Sequence, residues 1–326
     1  MASVTLAESA KLAQDELVSG VIESIVTVNR MFEVLPFDGI DGNALAYNRE
    51  NALGPVATTG VGEDADGGVI GPSAAAGSNL AERQAAKDAA TFTQVTSQLT
   101  TIMGDAEVNG LIQMTRSSDG NDQTAVQIAS KAKSAGRKYQ DMLVNGDGTN
   151  FTFPGMLALC APGQTLAPAG ANGDPLSFLT MDNLMDIVID KDGVVDYFMF
   201  NARTIRSWRE LLRGLGGASI GDVVELPSGE TVPAYSGVPI FRNDYLPLDQ
   251  TVGGTTTATT IFAGTLDDGS RQHGMAGLTA ANMSGINVVD VGESETKDER
   301  IWRVKWYASL ALFSELGLAC ATGITN

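Results

Sequence analysis

Residues 299–319 read ERIWRVKWYASLALFSELGLA, and this stretch gives the clearest indication of the fold. Aromatic and basic side chains alternate around Arg303 and Lys305. Because successive side chains of a strand point to opposite faces, this alternation predicts a strand over 300–313 with one packed face and one solvent-exposed face. A second strand is predicted over 287–291, and the polar turn GESETKDE separates the two.

The chain upstream of this pair, from Phe151 onward, alternates short helical and extended patterns. Apolar residues at three- and four-residue steps indicate helices, and short apolar runs bounded by turn residues indicate strands. The predicted helices are 180–188, with Thr180 as N-cap, and 202–212. The predicted strands are 194–200 (VVDYFMF), a strand that follows a turn at the end of 231–240 (GVPI, 237–240), and 261–264. A mixed body of helices and strands is therefore expected.

A long helix is predicted over 119–144, capped by Asp119 or Asn121 and stopped by the glycines that follow it. Its apolar face repeats at helical spacing through Val126, Ala129, Ala132, Gly136, Tyr139 and Leu143. Its second half is basic, with Lys131, Lys133, Arg137 and Lys138. At about 1.5 Å per residue, this helix would be nearly 40 Å long.

The first third of the chain contains the least globular sequence. An apolar stripe over 3–32 predicts an amphipathic arm, either docked on its own core or laid on a neighbouring molecule. Residues 54–77 are rich in Gly, Ala, Asp, Ser and Pro and fit either a disordered linker or a long projecting hairpin loop. A Thr-rich strand pattern resumes over 91–103, which favours the hairpin.

Composition excludes several classes of function. The 326 residues carry 39 acidic and 21 basic side chains, a net charge of −18, which argues against a chain that binds nucleic acid with its whole surface. No uninterrupted apolar run reaches the ~18 residues that span a bilayer. The start of the sequence lacks the features of a secretory signal, so we expect folding in a cytoplasm. Cys160 and Cys320 are expected to be buried free thiols, which could pair only if the fold brought them together.

Catalytic and metal-binding patterns are weak. His273 is the single histidine, no nucleophile motif precedes it, and one His with two distant Cys does not make a metal site. The glycines of 214–217 follow a predicted helix where a nucleotide loop would follow a strand. The 190–193 turn lacks the distal Glu of a calcium loop. We therefore predict no cofactor, no metal and no enzymatic activity.

An arm, a projecting loop and a long helix ahead of a compact body indicate an assembly protein. Arms and loops bury little apolar surface in their own subunit, so a neighbouring molecule must supply the contacts that order them.

The order of these elements resembles that of tailed-bacteriophage major capsid proteins of the HK97 fold, an α+β fold. The segments most similar to the family are Thr231–Pro233, Gly237–Asp244 and the closing stretch 299–319. The resemblance implies these parts: an N-terminal arm (1–32), the start of the P-domain (33–43), an extended E-loop (44–86), the P-domain (87–149) with a returning strand (92–103) and a spine helix (120–144), an A-domain (150–285), and P-domain return strands with the C-terminus (286–326).

The resemblance also implies a function. The chain would self-assemble as hexamers and pentamers into an icosahedral shell that encloses phage double-stranded DNA without sequence-specific binding. The candidate E-loop contact charges are Arg49, Glu50, Asp64, Asp66 and Arg83. The basic residues Lys131, Lys133, Arg137 and Lys138 would neutralise acidic neighbours or face the packaged DNA. The candidates for the A-domain tip at the symmetry axes are Asp190, Asp192, Gly214 and Gly217.

Some family members join subunits by an isopeptide bond from an E-loop lysine, and this chain has no lysine between Lys11 and Lys87. We therefore expect noncovalent stabilisation with a cement protein as a further partner, a separate scaffolding protein, and a portal. The expected location is the virion capsid, assembled in the bacterial host cytoplasm, with no membrane. Two alternatives stay open: an encapsulin-type nanocompartment shell, and a soluble hydrolase that uses His273.

Overall fold

The computed structural model describes residues 31–52, 89–117, 122–189, 193–214, 223–227, 229–282 and 285–325. The helices are α1 Met31–Val34, α2 Gly110–Arg116, α3 Gln123–Asn145, α4 Met156–Leu159, α5 Phe178–Ile189 and α6 Ala202–Gly214. The strands are β1 Phe37–Ile40, β2 Ala44–Ala52, β3 Thr91–Gln98, β4 Thr100–Asn109, β5 Thr165–Leu166, β6 Tyr197–Phe200, β7 Val223–Glu225, β8 Thr231–Tyr235, β9 Val238–Arg242, β10 Gln250–Val252, β11 Thr255–Gly264, β12 Met275–Ala280, β13 Asn287–Glu293, β14 Glu299–Leu312 and β15 Leu318–Ile324.

The chain divides into two compact units. One is Leu45–Thr96, whose described part is the two-stranded sheet of β2 and β3, called the ribbon below. The other, called the body, contains Ala44 and the described residues before it together with those from Ser97 onward. The arm predicted over 3–32 and the loop predicted over 54–77 fall almost wholly outside the described residues.

β14 is the centre of the first sheet of the body, as the alternation in its sequence predicts. β4 runs antiparallel along one side of it, from Glu299 opposite Asn109 to Ala308 opposite Thr100. β12 and β13 pair with its other side, and β1 continues the sheet parallel to β12. Val304 and Trp306 are buried, whereas Arg303 and Lys305 on the alternate face are half-buried.

The single strand predicted over 92–103 is wrong. It is two strands, and each serves a different sheet: β3 pairs with β2 in the ribbon, and β4 pairs with β14. The break falls at Leu99, whose amide donates to Asn43 O at 3.0 Å. Local strand propensity is continuous here, so only the change of partner ends one strand and begins the next.

The second sheet has the order β5-β15-β11-β6-β9-β8-β7, with β10 added beside β11. A strand after a turn is predicted at the end of 231–240, and β9 is that strand, paired with β8 in a hairpin. Ser236 and Gly237 both have positive φ, 51° and 81°. Positive φ at both central residues is what a two-residue hairpin turn of the favoured hand requires.

The two faces of this second sheet belong to two different hydrophobic cores. In β6, Tyr197 and Met199 pack into one core, and Phe198 and Phe200 pack into the other. All four side chains are fully buried because helices and the first sheet cover both faces. A strand buried on both faces reads as a continuous apolar run, as YFMF does.

The predicted long helix is present as α3, but its cap is Asp122. The Asp122 carboxylate accepts from the Thr124 amide at 2.9 Å and from Gln113 Nε2 at 2.8 Å. The proposed caps Asp119 and Asn121 lie outside the described residues. The predicted N-cap of α5, Thr180, is wrong because Thr180 lies inside the helix and donates its amide to Ser177 Oγ at 3.1 Å.

The second half of α3 anchors the body. Tyr139 is 0% exposed, its ring packs 4.6 Å from Trp306 and 5.4 Å from Phe153, and its hydroxyl donates to Ser309 O at 3.2 Å. Burial raises the pKa of Tyr139, so the hydroxyl remains a neutral donor. Ala129, placed on the same predicted face, is exposed, so the helix is buried mainly through its second half.

Candidate assembly surfaces

A rigid turn after α3 holds an aromatic side chain out in solvent. Phe151 is 96% exposed, and both Asn150 and Phe151 have positive φ, 49° and 65°. Such backbone costs roughly 1–2 kcal/mol per residue outside glycine, so the surrounding structure must hold it. Phe151 was not predicted as a site residue, since nothing in the local pattern distinguishes it from a core aromatic.

Hydrogen bonds to one carboxylate hold this turn. Asp147 accepts from the Thr149 amide at 2.9 Å and from Thr152 Oγ1 at 2.7 Å. Hydrogen bonds from the Thr149 and Thr152 side chains lower the pKa of Asp147 to about 2. The ends of the turn are tied by Gly155 N donating to Gly146 O at 2.8 Å. Phe151 is therefore presented by a preorganised loop, as an anchor side chain at a protein interface is.

The ribbon exposes most of its second strand. In β3, Phe92 is 65% exposed. Val95 is half-buried and Ser97 is buried, and every other residue of the strand is exposed. Arg49, predicted as a contact charge, is 9% exposed, and its guanidinium lies 5.6 Å from the centre of the Tyr47 ring. Arg49 is thus a packing residue of the ribbon more than a surface charge. Of the other contact candidates, Asp64, Asp66, Arg83 and the side chain of Glu50 lie outside the described residues.

One face of α6 carries three exposed arginines. Arg206, Arg209 and Arg213 follow at three- and four-residue steps and are exposed, whereas Ile205 and Trp208 of the same helix are buried. Among the residues that the structure describes, none pairs with these three guanidinium groups. The spacing is readable in the sequence and was the missed signal for this surface.

A cleft of about 400 Å³ lies beside this arginine face, lined by Ile205, Arg209, Thr231, Pro233 and Phe241 among others. Its lining joins α6 to the β8–β9 hairpin. An apolar side chain flanked by a carboxylate is the kind of group that a cleft of this chemistry accommodates.

Several other arginines of the body form ion pairs within the chain. Arg303 makes a bidentate pair with Asp105 across β14 and β4, both distances 2.8 Å. Arg300 pairs with Asp290 of β13, and Arg271 pairs with Asp38 of β1. These three arginines are paired within the chain, whereas no described residue pairs with the arginines of the α6 face.

The basic residues predicted on the long helix are in its middle. Lys131, Lys133 and Lys138 are exposed, and Lys138 forms an ion pair with Asp141 at 3.0 Å. Arg137 is half-buried. Lys131 lies close enough to Asp105 to help lower its pKa, after the larger effect of the hydrogen bond from Arg303.

The predicted axis-tip residues are almost all outside the described residues. Asp190, Asp192 and Gly217 are among them, whereas Gly214 is the exposed last residue of α6. Whether these residues meet at a symmetry axis stays a prediction.

β13 forms one end of the first sheet and exposes several apolar side chains. Val288, Val289 and Val291 are exposed, and Ile286 just before the strand is exposed as well. An exposed apolar edge strand readily pairs with another chain, which makes it a further candidate contact.

His273 lies on an exposed loop, with Nε2 3.7 Å from Asp268 Oδ2. Within the described ranges, no three His, Cys, Asp or Glu side chains come together as a metal site would require. Nor does any helix in that part of the chain have the length and apolarity needed to cross a membrane.

Solved structures resemble this chain over nearly its full length. The holo-SrpI encapsulin complex from Synechococcus elongatus has a TM-score of 0.69 at 18% identity, covering 99% of this chain and 96% of that one. The capsid of a native GTA particle has a TM-score of 0.61 at 11% identity, covering 100% of both chains. The capsid of Myoviridae phage XM1 has a TM-score of 0.58 at 13% identity, covering 95% of this chain and 97% of that one. No protein-family model and no curated protein matches the sequence.

Proposed function

We propose that this chain, which has the HK97 fold, is the major capsid protein of a tailed phage and assembles as hexamers and pentamers into an icosahedral shell around double-stranded DNA. The observation that carries the proposal is the end-to-end likeness to phage-type capsid chains, which exceeds 94% of the length on both sides. The predicted α+β class and HK97 fold are confirmed.

Exposed groups of the chain support self-assembly. Phe151 and Phe92 are large aromatic side chains in solvent, and neither has a role in the core of its own unit. Exposing Phe151 on a strained turn does not stabilise the monomer. At an interface, by contrast, Phe151 would be an anchor side chain that is already ordered before binding.

Charge explains why the arginine face matters for assembly. Copies that each carry a net charge of −18 repel one another, and the repulsion grows as salt is lowered. Arg206, Arg209 and Arg213 give each copy a local positive surface that an acidic surface of the next copy can meet. The same acidity keeps packaged DNA loosely held against the inner wall.

The second candidate function is an encapsulin-type shell that holds a protein cargo. The likeness to the SrpI encapsulin, with a TM-score of 0.69, favours it specifically. The greater number of phage structures among the matches favours the capsid. A scaffolding protein, a portal, a cement protein and assembly in the host cytoplasm are part of the capsid proposal.

Negative-stain microscopy of the chain expressed in a bacterial host tests shell formation. Closed particles support the proposal, and a strictly monomeric protein at all concentrations contradicts both candidates. In particles from the native source, nuclease-resistant DNA supports the capsid, and a co-purifying enzyme without DNA supports the encapsulin. Boiled, reduced particles should run as single-chain bands, since 12–86 contains no lysine for a covalent link; a ladder would contradict this.

A further inference from the structure

The fold brings the chain's two cysteines together across 160 residues of sequence. Cys160 follows α4, Cys320 lies in β15, and their sulfurs are 2.8 Å apart. This is inside the usual contact distance of two nonbonded sulfurs and less than 1 Å beyond the ~2.05 Å of a disulfide. Both cysteines are free thiols, as expected, and the fold brings them together, which was the stated condition for pairing.

Neighbouring backbone positions both sulfurs. β5 runs parallel to β15 with Thr165 directly opposite Cys320, and Thr165 Oγ1 lies 3.4 Å from the Cys320 sulfur and 3.6 Å from the Cys160 sulfur. The Cys160 amide donates to Met156 O at 3.0 Å, which fixes that residue at the end of α4. Two short, hydrogen-bonded segments thus hold the thiols in place.

The two thiols have complementary environments. Cys160 is half-buried and reachable from solvent, whereas Cys320 is 3% exposed. The hydrogen bond between the two sulfurs lowers the pKa of Cys160, and the same bond together with burial raises the pKa of Cys320. The accessible sulfur is therefore the better nucleophile, and the buried one is the resolving partner.

We propose that Cys160 and Cys320 are a modification site that forms an intrachain disulfide when the protein meets a small-molecule disulfide such as oxidised glutathione. The Cys160 thiolate attacks one glutathione sulfur and releases one glutathione thiolate. Cys320 then loses its proton, attacks the Cys160 sulfur and releases the second glutathione. The chain loses two hydrogens and is oxidised, and one glutathione disulfide is reduced to two thiols.

The bond closes a loop that contains α5, α6 and most strands of both sheets. It joins the segment after α4 to the last strand of the chain, so it restricts every opening of the second sheet that separates β5 from β15. Reducing compartments keep such pairs as thiols, so the bond would form after the protein leaves the cell. Only that timing rests on the proposed function; bond formation does not.

Mass spectrometry after maleimide labelling tests the proposal on the purified full chain. After treatment with oxidised glutathione, the chain should take up no maleimide under denaturing conditions and weigh two hydrogens less than the reduced chain. Two maleimides per oxidised chain, or a dimer band on a nonreducing gel, would overturn the intrachain bond. Cys320→Ala should retain a stable glutathione adduct on Cys160, whereas Cys160→Ala should remain largely unmodified.

Thermal unfolding tests the consequence for stability. Oxidation should raise Tm by about 5 °C, because the closed loop is long. The double variant Cys160→Ala/Cys320→Ala, checked by circular dichroism for native folding, should show the same Tm with and without oxidant. An equal rise in the double variant, or no rise in the wild type, would contradict the locking role. Particle formation is measured separately, so its failure would not affect this result.

Discussion

The body and the ribbon are built in opposite ways. In the body, β6 is buried on both faces, and Tyr139 joins α3 to the first sheet through a ring cluster and a hydrogen bond. The ribbon has two strands, and its second strand is largely exposed, with Phe92 in solvent. A two-stranded sheet is marginal in water on its own. The body can therefore be stable as a monomer, whereas we expect the ribbon to be ordered by the surface of another copy.

The largest expected effect is in the body. Tyr139→Ala should lower the free energy of unfolding by about 3–5 kcal/mol, because it leaves a cavity among Phe32, Phe153 and Trp306. Urea unfolding of the dilute subunit measures it. Tyr139→Phe is the matched control: it keeps the ring and should cost only about 1 kcal/mol for the lost bond to Ser309 O. Equal, small losses in both variants would show that the body does not depend on this cluster.

Phe151→Ser separates assembly from folding. Since Phe151 is almost fully exposed, the change should leave monomer stability within about 0.5 kcal/mol. It should weaken assembly by about 2 kcal/mol per contact, roughly thirtyfold, as loss of an interface anchor does. The critical concentration for particle formation, read by light scattering, measures this. Phe151→Tyr keeps the ring and should assemble nearly normally. Wild-type assembly of the Ser variant would remove Phe151 from the interface.

Charge reversal on α6 should have a smaller effect that depends on salt. The double variant Arg206→Glu/Arg213→Glu should raise the critical concentration for assembly several-fold at low salt. This follows because each exposed ion pair between copies contributes about 0.5–1 kcal/mol to the contact. The defect should shrink at high salt because the interaction is screened. The control, Arg206→Lys with Arg213→Lys, keeps the charge. A defect of equal size in both variants would indicate shape, not charge.

The smallest effect concerns the first sheet. The hydrogen bond from Arg303 lowers the pKa of Asp105, so the pair contributes stability above about pH 4 and loses it as pH falls through the lowered pKa. Asp105→Asn should cost about 0.5–1 kcal/mol at pH 7, as both groups are partly exposed. Its unfolding free energy should also vary less between pH 4 and pH 2. An identical pH profile for variant and wild type would rule out this contribution.

The sequence could predict those helices and strands that are set by the local spacing of apolar residues. The alternation around Arg303 located β14 to within a residue at each end, and the 3.6-residue period located α3 to within a few residues. It could not show that one strand pattern near Leu99 divides between two partners, or that Cys160 meets Cys320. Those features depend on contacts between residues far apart in the chain. The exposure of Phe151 was also missed, because an apolar residue near a helix end more often packs inward.

Hydrogen exchange of the ribbon tests the central claim most directly. Amides of β3 should exchange rapidly in dilute subunits and become protected by roughly a hundredfold or more in assembled particles. Amides of β14 should be protected in both states and serve as the internal reference. Ribbon amides as well protected in the dilute subunit as those of β14 would contradict the claim that the ribbon is ordered by another copy.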